Sequence, residues 1–168
     1  MKRTLTMVVT LLIITAATQA QSLQKFYEKY GSDERFEYVS INKGMMNMGA
    51  FLGGMTKSDK KELEKMQGLK ILTYSGDTEQ AFVKAMIAEL DKIVKTGGFE
   101  SAVEVREKGE RVNIYFRVVE TNNSDMLIIT REKNEFTSIW IKGKMTKEDM
   151  MNTFSSTMPE GIPLAMTF

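Results

Sequence analysis

The stretch AVEVREKGERVNIYFRVVETNNSDMLIITREKNEFTSIWIK, residues 102–142, decides the fold. It holds runs rich in β-branched and aromatic residues at Ala102 to Arg106, Val112 to Val119, Met126 to Thr130 and Phe136 to Lys142. Between them stand Lys108-Gly109-Glu110, Asn122-Asn123 and Lys133-Asn134, short connectors of the residue types that join antiparallel neighbours. The pattern predicts a four-stranded meander. Along its central strand Val112, Ile114, Phe116 and Val118 share one face, with Tyr115 and Arg117 on the other. The apolar set is expected to pack under a helix. Tyr115 is then the member exposed on the open sheet face, where aromatic residues could form a binding platform, while Phe116 and Trp140 are read as core.

Upstream the periodicity changes. Leu23, Phe26, Tyr27 and Tyr30 recur at helical spacing, with Ser22 as a cap and Gly31 as a stop. Phe36 to Ile41 alternates as a strand, and Asn42 is placed to cap a short helix through Leu52. Thr56 and Asp59 have capping-box spacing for a charged helix with Leu63 and Met66 inward, stopped by Gly68; Leu69 to Tyr74 reads as the next strand. Asp77 with Gln80 repeats the helix-start signature, and Phe82, Met86, Leu90, Ile93 and Val94 draw one stripe up to Gly97-Gly98. Thr146 and Asp149 open a last helix with Met150, Met151 and Phe154 inward, before a tail from Met158 to Phe168. The fold class expected is α+β, a largely antiparallel sheet of about six strands with helices mainly on one face.

The first residues read as an address. Met1-Lys2-Arg3, an apolar run from Leu5 to Ala17, and Thr18-Gln19-Ala20 form the pattern of a secretory signal peptide, too short in its apolar part for a membrane span. Residues 1–20 are expected to be cleaved and 21–168 to form a single domain, exported to the periplasm or beyond. The whole chain carries 23 basic and 22 acidic residues, a near balance that offers no electrostatic case for nucleic acid. It has no cysteine and no histidine, so no disulfide, thiol nucleophile, imidazole general base or histidine zinc site can be built from it. No cofactor is expected, and any chemistry would fall to carboxylates, Lys or Tyr.

Phe26 to Tyr30, the run Val39-Ser40-Ile41-Asn42-Lys43 with Met45, and Met126 to Ile129 followed by a strand ending in Ile141-Lys142-Gly143 carry a resemblance. The chain resembles the domain of unknown function 4252 family, small exported proteins common in Bacteroidetes-type bacteria. The likeness covers most of residues 21–168 and rests on hydrophobic and turn patterns, so it implies address and fold and transfers no functional residue. Many relatives look like lipoproteins with a cysteine at the cleavage site. Here Ala20-Gln21 stands there, which implies a form without a lipid anchor.

The segment Gly44 to Met55 holds four methionines and four glycines in twelve residues. Thioethers could bind Cu(I), but Met45, Met48 and Leu52 fall on one helical stripe and Met commonly fills core gaps. The favoured reading is core packing, followed by an adaptable apolar contact surface. Met45, Met46, Met48, Phe51, Met55 and Tyr115 are thus the candidates for binding a partner, an envelope protein. Ser58-x-x-Lys61 and Lys95-Thr96-Gly97 echo penicillin-recognising enzymes, yet the tripeptide closes a helix where those enzymes need a strand. The acidic pairs Asp33-Glu34, Asp77 with Glu79, and Glu107 with Glu110 read as caps and turns. The function expected is that of an exported, non-enzymatic accessory protein of the cell envelope, with a carboxylate-based hydrolase and a Cu(I)-binding protein as the alternatives.

Overall fold

A computed structural model describes residues 22–46, 64–120, 123–146 and 148–149. The region read as a signal peptide, most of the helix read from Thr56, most of the Met and Gly segment and the C-terminal tail lie outside the described residues. Helix α1 spans residues 22–31 and buries Leu23, Phe26 and Tyr27, the stripe its spacing predicts. Strands β1 (Glu37–Asn42) and β2 (Met66–Ser75) follow, then helix α2 (Ala81–Thr96), then β3 (Glu100–Glu107), β4 (Glu110–Glu120), β5 (Asn123–Arg131) and β6 (Glu135–Gly143).

The six strands form one sheet in the order β1-β2-β6-β5-β4-β3, and every neighbouring pair is antiparallel. β1 and β2 make a hairpin at one edge, α2 carries the chain to the opposite edge, and the meander β3 to β6 returns to set β6 beside β2. The β3–β4 turn has Lys108 at φ 42° and Gly109 at φ 94°, the positive values at both central positions that a tight hairpin of this twist requires.

Both helices contribute to one core on one face of the sheet. Leu23, Phe26 and Tyr27 of α1 and Val83, Met86, Leu90, Ile93 and Val94 of α2 cluster there with Leu72, Tyr74, Leu127, Ile129, Phe136 and Trp140. This corrects the expected orientation of β4. Tyr115 is half-buried against the helix-side core, while Ile114 and Phe116 belong to a second cluster with Met126 and Met145 on the other face. The physical reason is that Arg117, on the helix side, is not a surface residue. It pairs with Asp125 and donates Nη1–H to the Gly97 carbonyl at 2.9 Å, so a polar-looking face of the strand is buried around an ion pair.

Two helix signals also resolve differently. Asp77 does not cap α2. Its Oδ1 accepts the Glu79 N–H at 3.0 Å within the preceding turn, and Gln80 occupies the N-cap with no side-chain cap bond. Met66 begins β2 where a helical face was expected, and Gly68 lies inside that strand beside a register shift. Asn42 does accept the Met45 N–H at 3.0 Å, opening a helical turn at 43–46. The Thr146 and Asp149 capping box also forms, Thr146 N–H to Asp149 Oδ2 at 2.9 Å and Asp149 N–H to Thr146 Oγ1 at 3.1 Å.

Candidate functional site

The strand registers align the apolar positions of the outer sheet face into rows. Val39, Ile71, Ile139, Ile128, Ile114 and Val103 stand directly opposite one another from edge to edge, all β-branched. A second row runs Ile41, Leu69, Ile141, Met126 and Phe116. A third places Thr73, Thr137 and Thr130 side by side between Glu37 and Val112. Such cross-strand pairs stabilise the sheet itself, yet they leave a face whose charges lie at the strand ends.

The two faces differ in burial. Leu72, Leu127, Ile129, Phe136 and Ser138 on the helix side are fully buried. On the outer face Ile41, Leu69, Ile71, Ile128, Ile139 and Ile141 are half-buried, and Val39 and Val118 are 46% and 61% exposed. The described residues that join Ile114, Phe116 and Met126 there are Met145 and the partly buried Met66, beside Ala102, Val103, Val112, Ile128 and Ile141.

Of the residues singled out from the sequence, Met45 is 58% exposed and Met46 is buried, on the helical turn that follows β1. That turn leaves β1 at the end of the sheet where Met66 pairs with Gly143. Met48, Phe51 and Met55 lie outside the described residues. Tyr115 does not belong with the outer face, and its burial against the helix-side core raises its phenol above the usual range. The outer rows were missed in the sequence because they exist only once registers are known; the available signal was the repeated apolar pair at i and i+2 in every strand.

The face is held by polar anchors buried beneath it. Asp125 Oδ2 accepts Arg117 Nε–H at 2.8 Å and its Oδ1 accepts the Trp140 indole N–H at 2.9 Å, while the guanidinium lies 4.4 Å from the Phe99 ring centroid. These contacts tie β4, β5 and β6 to the C-terminal end of α2. Tyr27 shares a 2.7 Å hydrogen bond with Ser138, which ties α1 to β6, and burial raises its phenol far above the usual range. Among the described residues no group of three or more Asp and Glu gathers as a metal would require, and no helix is long and apolar enough to cross a membrane.

The described residues define an α+β fold with helices α1 and α2 packed against one sheet face and rows of apolar residues on the other. The chain belongs to the family described as Domain of unknown function (DUF4252), which matches residues 27–153. No curated protein matches it.

Proposed function

We propose that this chain is an exported accessory protein of the bacterial cell envelope that works by binding another envelope protein, without chemistry of its own. The observation that carries this reading is the outer face: a cross-strand row of six β-branched residues in which Ile114 is buried, Ile71, Ile139, Ile128 and Val103 are half-buried and Val39 is 46% exposed, while Leu72, Leu127, Ile129 and Phe136 on the helix side are fully buried. Covering the exposed part of one such side chain is worth on the order of 1 kcal/mol, so a partner with an apolar surface gains from docking there. Exposed Met45 at the same sheet end as Met66 adds an adaptable contact. The signal-like start of the chain supports the address.

The test is a photo-crosslinking residue at position 39, in source cells that also carry Val39→Lys and Met45→Lys variants of the chain for comparison by affinity capture. The reading expects one envelope protein to crosslink at position 39 and to be lost from the lysine variants while their circular dichroism is unchanged. Recovery of the chain alone, or capture unaffected by both substitutions, would overturn it.

A further inference from the structure

A groove of about 580 Å³ opens at the other end of the molecule, between the first turns of α2 and the β3–β4 and β5–β6 turns. Its walls carry Lys84, Ile87, Ala88 and Asp91 from the helix and Arg111, Arg131 and Lys133 from the strands and turn. The register sets Arg111 directly opposite Arg131, two guanidinium side chains on the same helix-facing side of neighbouring strands. Like charges in that relation repel, and neither hairpin needs an arginine there for its turn.

One of the two is compensated. Asp91 on α2 takes Arg131 in a two-pronged contact, Nη1–H to Oδ2 at 3.2 Å and Nη2–H to Oδ1. That leaves Arg131 Nε–H buried with no acceptor among the described residues. A buried donor in this condition costs free energy until something accepts from it. The Arg111 side chain has neither a hydrogen bond nor an ion pair among the described residues. The other carboxylate on the helix side is engaged too, since Glu79 lies 2.6 Å from Lys84 Nζ. Glu132 is the remaining carboxylate of the lining, which holds the four cations Lys84, Arg111, Arg131 and Lys133.

We infer that this groove is a binding site for a small organic oxyanion, a carboxylate or phosphate on a short aliphatic body. The oxyanion is taken by Arg111 with Lys133, and the body lies along Ile87 and Ala88. The size is that of a small-molecule site. Arginine's planar fork suits both oxyanions, and a bound anion removes the repulsion between the paired arginines. The site lies on the helix side of the sheet, apart from the outer face, so it stands or falls independently of the proposed envelope partner.

The experiment is calorimetric titration of the purified chain with succinate, glycerol phosphate, inorganic phosphate and sulfate, repeated on Arg111→Gln, Lys133→Gln and Lys25→Gln, an exposed residue of α1 outside the groove, as the control. Methyl NMR of Ile87 and Ala88 locates any binding. The inference expects saturable binding of at least one organic anion, weakened about tenfold or more by Arg111→Gln, unchanged by Lys25→Gln, and accompanied by shifts at Ile87 and Ala88. It is overturned if no anion binds up to about 10 mM, if Arg111→Gln binds as the parent does, or if sulfate and inorganic phosphate match the organic anions, which would make the groove a general counterion site.

Discussion

Asp125→Asn is the substitution whose cost the structure specifies most closely. The carboxylate is buried with Arg117, the two side chains being 4% and 5% exposed, and Arg117 Nη2 and Nε lie 2.7 and 2.8 Å from Oδ2. Trp140 Nε1–H donates to Oδ1 at 2.9 Å. An amide preserves the shape but has one acceptor and one donor where the carboxylate has two acceptors. Turned to accept from Trp140, it points N–H groups at the guanidinium; turned the other way, it points them at the indole. Either orientation leaves a buried cation without its counter-charge, a loss of about 3–5 kcal/mol. With a urea slope of about 2 kcal/mol/M, the denaturation midpoint should fall by about 1.5–2.5 M. The double substitution Arg117→Met with Asp125→Leu removes both charges and should cost less than Asp125→Asn alone. The measurement is urea denaturation followed by Trp140 fluorescence. A fall below about 0.5 M for Asp125→Asn, or a double substitution as costly as its two singles added, would refute the claim that the pair is a desolvated anchor.

Other consequences concern pH and packing. Tyr27 is neutral in the fold and its phenol is raised by burial, so the native state holds a proton that the unfolded chain releases above about pH 10. Stability should therefore drop as pH rises past 10, and Tyr27→Phe should flatten that drop in urea titrations at several pH values while losing the Ser138 bond. At the acid end, Arg35 beside Asp33, and Lys65 with Thr146 beside Asp149, hold those carboxyls down at about 2. The unfolded chain then binds more protons, so the contribution is complete above about pH 4 and is lost as pH falls toward 2. Thermal melts of Arg35→Gln and Lys65→Gln should show a shallower acid slope than the parent. Gly31→Ala should destabilise by about 1–3 kcal/mol, because a Cβ there would meet the Tyr38 ring at 2.8 Å; an unchanged melting temperature would mean that the ring moves aside at no cost.

Much of the fold was legible because its signals are local. The stripe Leu23, Phe26, Tyr27 sits on one helix in any tertiary setting, and Lys108-Gly109 declares its hairpin without knowledge of the partner strands. The choice of sheet face was not local. β4 alternates Val112, Ile114, Phe116 against Asn113, Tyr115, Arg117, and hydrophobicity favours turning the first set toward the helices. The second set is buried there because Asp125 stands opposite Arg117 across the β4–β5 hairpin and Gly97 offers its carbonyl. That pairing depends on the register shift between Val118 and Glu120, so a regular hairpin about Asn122-Asn123 would not have set Arg117 opposite Asp125. The Arg111–Arg131 pair follows from the same shifted β4–β5 register, and the outer rows were out of reach because they run across strands far apart in sequence.

The seam between β2 and β6 has a consequence for the order of assembly. β3 to β6 can pair through short hairpins as each successive strand becomes available, and β1 can pair with β2 across the longer connection of residues 43–65. The two halves meet where residues 66–75 align with residues 135–143, so the sheet remains two separate pieces until its last strand arrives. Loop closure over that span is the slow, non-local step. A chain joined in this way cannot complete the sheet of its described residues before residues 135–143 have been made.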